Sequence, residues 1–357
     1  MLSMLKLMVC PPMLSKVNAL SLFALICHGY IILIMDNVLV LFETDPAFRQ
    51  ELTGILSGFR VIFNESEKTA SIDAEIAKNT TIIFGNPKTE FLMLCPRLKW
   101  IQLQTAGADG YVGGVLAETV QLSCATGGYG HAVSEHMVAL TFELLKKLHF
   151  YRDEQSRGRW QSRGLVKSIE GATVLVVGLG DIGAAYARRM KALGSYVIGV
   201  RRNAQTKPDF LDELLLSNQF EEALPRSDVV ALIVPGTKET SGLIGRSQLA
   251  KMKQGSVIIN AGRGSAIDTE ALCDSLESGP LAGAGLDVTD PEPLPPGHRL
   301  WKLENAVITP HVAGGRYMSE TGQYVMKLNL ENARRFVRGE PLESLVDFNT
   351  GYRILRG

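Results

Sequence analysis

The sequence predicts an α/β protein made of two doubly wound parallel-sheet domains. Short β-branched runs alternate with helical stretches from residue 37, and the same alternation restarts at residue 172. A helix with one apolar stripe separates the two series, and a glycine-rich turn directly follows the first strand of the second. With 357 residues, the chain is long enough for two domains, each with its own buried core.

The composition points to a small-molecule partner. The chain has 37 Lys and Arg residues and 37 Asp and Glu residues, so no global basic field would attract nucleic acid. The cysteines are scattered without paired spacing, which argues against a disulfide framework and a zinc site and favours a reducing compartment. His131 and His136 do not have the i, i+4 spacing of a helical metal pair. We therefore expect no metal.

Residues 1–35 leave two alternatives open. No charged residue occurs from Val17 to Met35, and Lys6 and Lys16 precede this run, as they would in a membrane signal anchor. The run also contains polar residues, lacks a small-residue cleavage site and meets the next strand without a linker. We therefore favour an N-terminal extension from a misassigned start, with Met35 as the natural first residue, and expect no membrane association.

The first α/β series is short. Its β-branched runs are bounded by turn residues and separated by helical stretches, which is the βαβ rhythm of a parallel sheet covered on both faces. The predicted strands are 37–42, 60–64, 81–85 and 100–104, and the predicted helices are 46–56, 70–79 and 90–98.

A single long helix is predicted over 127–150. Apolar residues recur there every three or four positions, namely Val133, Met137, Leu140, Leu144 and Leu148. The polar stretch 151–164 is predicted to be a loop. The second series follows, with strands at 173–177, 196–200, 229–234, 256–260, 283–288 and 305–309. A last helix over 317–339 is expected to pack back on the first domain, which makes that domain discontinuous in sequence.

The glycine-rich turn has the spacing of a dinucleotide-binding fingerprint. Gly178, Gly180 and Gly183 form G-x-G-x-x-G between a strand and a helix, the context that this motif requires. The first glycine permits the tight turn, the second lets a pyrophosphate approach the backbone, and the third lets helix and strand pack closely. The helix N-terminus then offers N–H groups to the phosphates. A turn that only connects strand to helix is the weaker alternative.

The next strand ends on Arg201 and Arg202, where a carboxylate would usually accept hydrogen bonds from the adenosine ribose. A carboxylate there would repel a 2′-phosphate, whereas a guanidinium binds it with charge-assisted hydrogen bonds. We therefore predict NADP(H), with NAD possible. The alternative is that both arginines are solvated and NAD binds without an acidic contact.

Three later stretches bring polar residues to strand ends, where an open α/β sheet binds its ligands. They are INAGRGSAID (259–268), GLDVTDPEPLP (285–295) and ITPHVAG (308–314). Arg263 can bind a carboxylate, His311 can exchange a proton near neutral pH, and Glu292 can orient that histidine. Each has an alternative: a helix-start contact for Arg263, a solvated loop charge for Glu292 and a satisfied boundary histidine for His311. All three alternatives holding at once is not credible.

These motifs, with VVGLGDIG and NAVITPHVAG, resemble those of the D-isomer-specific 2-hydroxyacid dehydrogenases, and the similarity runs from about residue 37 to the end. The resemblance implies that Arg263 binds the substrate carboxylate, that Glu292 pairs with the acid/base His311, and that Asp287 contacts the nicotinamide side. It also implies that the backbone N–H groups of loop LQTAGADG bind the substrate carboxylate at Ala106, Gly107 and Ala108. The predicted cofactor-binding residues are Gly178, Gly180, Asp181, Ile182, Gly183, Arg201, Arg202, Pro235 and Asp287.

The resemblance further implies a Rossmann nucleotide-binding domain at 130–312, inserted into a smaller flavodoxin-like substrate domain at 36–129 and 313–357. NAD-using members carry an acidic residue where Arg201 stands, so the cofactor preference is not inherited from the family. Formate dehydrogenases lack the Glu–His pairing, so Glu292 argues against that activity.

The predicted reaction is the NADPH-dependent reduction of a small 2-oxo acid to an (R)-2-hydroxy acid, similar to that of glyoxylate and hydroxypyruvate reductases. Glyoxylate, hydroxypyruvate, pyruvate, branched 2-oxo acids and ketopantoate are all compatible with the sequence as substrates. A homodimer is expected from the same resemblance, and the reducing compartment indicated by the cysteines is expected to be the cytoplasm. The alternative is a dinucleotide-sensing regulatory protein on the same fold, like the corepressors that resemble this family.

Overall fold

The computed structural model of the chain describes residues 22–27, 30–64, 69, 72–203, 206–314, 318–348, 351 and 353–354. These residues form two compact units. Unit 1 contains the described residues up to Gln104, together with Gly113–Cys124 and Met326–Val346. Unit 2 contains Thr105–Val112, Ala125–Val325 and the described residues from Asp347 onward. The predicted domain bounds stay predictions.

The N-terminal segment is described only from residue 22. Strands β1 (Leu22–Cys27) and β2 (Tyr30–Met35) pair antiparallel as a hairpin. The rest of the predicted extension or anchor, residues 1–21 and 28–29, lies outside the described residues. Among the residues that are described, no helix has both the length and the apolar character needed to cross a membrane.

Unit 1 has a five-stranded parallel sheet in the order β4-β3-β5-β6-β7. Its strands are β3 (Asn37–Val40), β4 (Arg60–Phe63), β5 (Thr80–Phe84), β6 (Trp100–Gln102) and β7 (Gln121–Ser123). The four predicted strands are confirmed, and β7 was missed.

The helices of unit 1 that follow its first strands are α1 (Pro46–Ile55), α2 (Ala74–Lys78) and α3 (Thr89–Leu92). Helix α1 begins where the sequence signals it, because the Asp45 side chain accepts a hydrogen bond from the Phe48 N–H at 2.8 Å and Pro46 occupies the first turn. Helices α2 and α3 are shorter than predicted.

The helix predicted over 127–150 is in fact two helices, α4 (Gly130–Leu145) and α5 (Leu148–Ser156). Lys147 lies between them in the left-handed conformation, with φ of 59° and ψ of 33°, and this ends the first hydrogen-bond ladder. The stripe residues Val133, Met137, Leu140 and Leu144 are buried as predicted, whereas Leu148, beyond the break, is 51% exposed.

The segment predicted as a loop, 151–164, is helical up to Ser156. Its Glu154 is only 2% exposed and accepts hydrogen bonds from Arg159 and, at 2.5 Å, from Arg163. These guanidinium groups, Arg159 first, lower the pKa of the Glu154 carboxyl to about 2. The segment therefore neutralises its own buried charge, which a reading based on polarity alone does not anticipate.

Unit 2 is built on a seven-stranded parallel sheet in the order β10-β9-β8-β11-β12-β13-β14. Its strands are β8 (Thr173–Val177), β9 (Tyr196–Arg201), β10 (Glu213–Leu216), β11 (Val229–Leu232), β12 (Ser256–Asn260), β13 (Leu281–Leu286) and β14 (Ala306–Ile308). The six predicted strands are confirmed, and β10 was missed. The strand order reverses at β8, so the ligand crevice of such a sheet lies at the carboxyl ends of β8 and β11.

Three helices follow strands of this sheet, α6 (Asp181–Ala192), α7 (Arg246–Lys251) and α8 (Thr269–Ser278). The last helix, α9 (Ser319–Arg338), belongs to unit 1 from Met326 onward.

The core of unit 1 explains why α9 returns to the first sheet. Trp100 on β6 is fully buried, meets Phe84 edge-on at 4.9 Å between ring centroids and stacks on Phe336 of α9 at 5.2 Å. Its indole Nε1 donates a hydrogen bond to Ser123 Oγ at 2.8 Å, so the only polar atom of the ring is satisfied. The predicted packing of the last helix is confirmed by these contacts.

Candidate active site

The glycine turn between β8 and α6 has the geometry that its spacing predicts. Gly178 has φ of +100°, and a Cβ there would lie 2.2 Å from the Ile233 carbonyl oxygen. A Cβ on Gly183 would lie 1.8 Å from the Gly178 carbonyl oxygen. Both contacts are with backbone atoms, so packing requires these two glycines.

The middle glycine lies in a different environment. Gly180 is the N-cap of α6, where no described side chain caps the helix, and a Cβ there would meet nothing within 4 Å. Among the described residues, space is therefore open beside Gly180 at the start of α6, where the helix has no side-chain cap. This is the arrangement that binds a phosphate group at a helix N-terminus.

Asp181, the first residue of α6, contacts the start of α4. Its Oδ2 accepts a hydrogen bond at 2.9 Å from the Gly130 N–H, at the start of α4. A Cβ on Gly130 would lie 2.7 Å from Asp181 Oδ1, so the close approach depends on that glycine. Asp181 thus stabilises the N-terminus of α4, a role that the motif did not predict. The predicted residue Ile182 lies next to it in the first turn of α6.

The residue before Arg201 is hydrogen-bonded to the glycine turn. Val200 pairs with Val177, and its carbonyl oxygen accepts a hydrogen bond at 3.2 Å from the Gly178 N–H. Arg201 is the next residue and ends β9. The pKa of the Glu239 carboxyl is lowered, chiefly by a hydrogen bond from Thr237 and further by the positive charge of Arg202. The positive charge of Arg202 therefore acts on a carboxyl group of the loop after β11.

The loops after β11, β12 and β13 pack side by side at the carboxyl edge. A Cβ on Gly236, just past Pro235, would lie 3.3 Å from Arg263 Cγ. A Cβ on Gly264 would lie 1.9 Å from the Thr289 carbonyl oxygen. The Thr240 hydroxyl donates a hydrogen bond at 2.5 Å to the carbonyl oxygen of Pro235, one of the predicted cofactor-binding residues. These contacts bring the loop of Arg263 against the loops on either side of it.

The guanidinium of Arg263 is held by the protein on two sides. Nε donates to Asp109 Oδ2 at 2.5 Å, and Nη1 donates to the Gly262 carbonyl oxygen at 2.7 Å. Nη2 lies only 1.7 Å from where a Cβ on Gly107 would stand. The predicted carboxylate ligand Arg263 and the predicted loop Ala106–Gly107–Ala108 therefore adjoin within unit 2.

His311 and Glu292 form the predicted pair. Glu292 Oε1 lies 2.6 Å from His311 Nδ1, and the two side chains are 43% and 50% exposed, respectively. Because a carboxylate only accepts hydrogen bonds, we assign the Nδ1 proton to this contact, which leaves Nε2 for proton exchange. His311 has φ of 53°, and its N–H donates to the Asp287 carbonyl oxygen at 2.8 Å.

Asp287 organises the segment that carries His311. It is 3% exposed, and its Oδ1 accepts hydrogen bonds from the Thr309 hydroxyl at 2.6 Å and the Val312 N–H at 3.0 Å. Its Oδ2 accepts one from the Ala313 N–H at 3.1 Å. His136 Nε2 in turn contacts the Thr309 hydroxyl at 2.9 Å. These bonds hold the turn on both sides of His311, and the nicotinamide contact predicted for Asp287 stays a prediction.

Sequence reasoning missed Asp109, Thr309 and the contact of His136. Asp109 stands in the quoted loop LQTAGADG and Thr309 in ITPHVAG, so a polar side chain next to each predicted residue was the available signal. In the part of the chain that the structure describes, no group of three or more His, Cys, Asp or Glu side chains could hold a metal ion.

Comparison with known proteins identifies related chains. The sequence model of the D-isomer specific 2-hydroxyacid dehydrogenase NAD binding domain matches residues 138–313. A glyoxylate reductase of Korarchaeum cryptofilum is 36% identical over 239 residues, 66% of this chain and 67% of that one. A glyoxylate reductase of Thermococcus litoralis is 30% identical over 291 residues, 79% of this chain and 85% of that one.

Solved structures resemble the chain over most of its length. A D-isomer specific 2-hydroxyacid dehydrogenase from Xanthobacter autotrophicus, in complex with NADPH and MES, is 26% identical and superposes with a TM-score of 0.74. The match covers 89% of this chain and 99% of that one.

Proposed function

Because the chain belongs to the D-isomer-specific 2-hydroxyacid dehydrogenase family of oxidoreductases, we propose that it reduces a small 2-oxo acid to an (R)-2-hydroxy acid with NADPH. The contact that carries the proposal is the one between His311 Nδ1 and Glu292 Oε1 at 2.6 Å, beside the strand ends that bear Asp287 and Arg263. It supplies an oriented proton donor at the edge where such sheets bind ligands.

The residues at the glycine turn fit a nicotinamide dinucleotide. The uncapped N-terminus of α6 and the open side of Gly180 suit the pyrophosphate. Arg201 and Arg202 suit a 2′-phosphate, since a guanidinium forms charge-assisted hydrogen bonds with it. When bound, the cofactor supplies the hydride that the reduction needs. The Xanthobacter relative in complex with NADPH supports the same preference, and use of NAD is the alternative.

We assign the substrate carboxylate to Arg263 and to the N–H groups of Ala106, Gly107 and Ala108. The 1.7 Å approach of Arg263 Nη2 to the missing Cβ of Gly107 supports this, because both donors then serve one small subsite. An arginine that holds the carboxylate also polarises the adjacent carbonyl group.

We assign the proton to Nε2 of His311. The protonated ring gives its proton to the carbonyl oxygen as that oxygen becomes an alkoxide, and Glu292 offsets the positive charge and fixes the tautomer. Asp287 acts through the backbone, since its carboxylate binds the N–H groups of Val312 and Ala313.

Three further assignments belong to the same proposal. Glyoxylate and hydroxypyruvate are the first substrates to test, since the two relatives described above are glyoxylate reductases. We propose a cytoplasmic homodimer and a substrate domain at 36–129 and 313–357 around a nucleotide-binding domain at 130–312. The relatives described above are named as reductases and do not favour the regulatory alternative, which predicts dinucleotide binding without turnover.

The experiment is a matrix of NADPH and NADH against a dozen 2-oxo acids, followed by the loss of absorbance at 340 nm, the standard signal of nicotinamide oxidation. We expect turnover with at least one short 2-oxo acid and a higher kcat/KM with NADPH. Binding of NADPH without turnover of any 2-oxo acid would refute the proposed reaction and favour the regulatory alternative.

A further inference from the structure

We propose that Asp109 is a positioning residue for the reaction, which fixes the guanidinium of Arg263 so that Nη2 meets the substrate carboxylate end-on. The inference deepens the proposed function and rests on it. It also defines the ligand that this subsite selects, a planar, singly charged carboxylate.

Arg263 is held in a way that uses two of its three guanidinium nitrogens. An arginine usually binds a carboxylate with two parallel N–H groups. Here Nε donates a hydrogen bond to Asp109 Oδ2 at 2.5 Å, and Nη1 donates one to the Gly262 carbonyl oxygen at 2.7 Å. Gly236 packs against the aliphatic part of the side chain, because its Cβ would lie 3.3 Å from Arg263 Cγ. Among the described residues, Nη2 has no acceptor, so it is the nitrogen left for a ligand.

The third nitrogen of Arg263, Nη2, lies against the loop of Gly107. It occupies the space that a Cβ on Gly107 would need, 1.7 Å away. The Gly107 carbonyl oxygen accepts a hydrogen bond from the Thr105 hydroxyl at 2.9 Å, which fixes the orientation of the loop. Asp109 follows in the same loop, two residues after Gly107. One short segment therefore supplies both the proposed backbone donors and the carboxylate that locks the arginine beside them.

The charge of Arg263 is balanced by that of Asp109. The side chains of Arg263 and Asp109 are 31% and 28% exposed, so the pair is partly shielded from solvent. A guanidinium paired at 2.5 Å gives a subsite with strong N–H dipoles and little net positive charge. Such a subsite favours a singly charged carboxylate over a doubly charged phosphonate of similar size, because the second negative charge would face Asp109.

The test compares Asp109→Asn with the wild-type protein, with Asp109→Glu as the conservative variant and Asp153→Asn, an exposed aspartate on α5, as the matched control. Steady-state kinetics give kcat and KM for the best 2-oxo acid and KM for NADPH. Competitive inhibition is measured with oxamate and carbamoylphosphonate, which differ only in the acid group.

Asp109→Asn should raise the KM for the 2-oxo acid about 10- to 100-fold, the range of one charge-assisted hydrogen bond, with a smaller change in kcat. The KM for NADPH should stay within about twofold of wild type. The wild-type preference for oxamate over carbamoylphosphonate should shrink or reverse. Asp109→Glu should recover most of the loss, and Asp153→Asn should behave as wild type.

Two results would overturn the assignment. An unchanged KM in Asp109→Asn would show that Arg263 needs no positioning, and a lower KM would show that Asp109 competes with the substrate. If Asp109→Asn does not fold, judged by loss of NADPH binding, Gly107→Ala replaces it and must raise the KM for the 2-oxo acid. Active wild-type enzyme with an unaffected variant defeats this inference alone, whereas wild-type protein without turnover defeats the proposed function.

Discussion

Replacing Glu292 with glutamine isolates the charge of the His311–Glu292 pair. Glutamine keeps an oxygen that can accept the Nδ1 hydrogen bond, so the ring orientation survives while the negative charge disappears. Two unit charges about 4 Å apart interact by about 1 kcal/mol in water and about 4 kcal/mol near a protein surface. With the side chains 50% and 43% exposed, solvent screening favours the lower part of this range.

We therefore expect Glu292→Gln to lower kcat about 10- to 100-fold, equivalent to about 1.4 to 2.7 kcal/mol of barrier. The assay is NADPH oxidation at saturating 2-oxo acid, with Glu118→Gln, an exposed glutamate of unit 1, as the control. The KM for NADPH should not change. A kcat within twofold of wild type would mean that the carboxylate contributes orientation only and that our electrostatic account of the pair is wrong.

Three further predictions follow from the same geometry. His311→Ala should lower kcat about 10²- to 10⁴-fold, because it removes the proton donor; near-normal turnover would exclude the proposed scheme. Arg201→Asp should shift the ratio of kcat/KM for NADPH and NADH about 10- to 100-fold toward NADH, and an unchanged ratio would show that Arg201 does not bind the phosphate. Trp100→Ala should lower the free energy of unfolding by about 3 to 5 kcal/mol in urea titrations, since Phe84 and Phe336 lose their shared ring; an unchanged midpoint would contradict the described core.

Strand prediction succeeded where the strands have strong β-branched character. Runs such as NVLV and SVIIN are fully buried strands inside a parallel sheet, and their valine and isoleucine residues identify them as strands. Two of the missed strands, one in the parallel sheet of each unit, lack that signal, whereas β1 and β2 lie in the segment that was interpreted as an extension or anchor. The strand Gln121–Ser123 has only three residues, and the edge strand Glu213–Leu216 reads ELLL, which has no β-branched residue and equally suits a helix.

The break at Lys147 could not be predicted from periodicity. The apolar spacing continues through Leu148, and a lysine in the left-handed conformation has no sequence signature of the kind that glycine provides. The lysine also donates a hydrogen bond from Nζ to the Arg163 carbonyl oxygen at 2.7 Å, a contact 16 positions away that periodicity does not encode.

The site was predictable to the extent that its residues lie within short motifs at strand ends. His311 and Glu292 are 19 positions apart, and neighbouring parallel strands bring their loops together. Asp109 and Arg263 are 154 positions apart. Their contact depends on how a loop before α4 meets the edge of the sheet in unit 2, which no local pattern encodes.

The anchoring of the turn around His311 by Asp287 separates two tasks within one polypeptide. The acceptor oxygens that shape this turn come from the end of β13, a buried position, rather than from the loop at 105–112 that is proposed to meet the substrate. Substitutions in that loop therefore leave the anchoring of the His311 turn unchanged, while they act on the proposed carboxylate subsite through Ala106, Gly107, Ala108 and Asp109. Laboratory evolution can thus alter substrate binding at the loop without altering the hydrogen bonds that hold the acid/base residue.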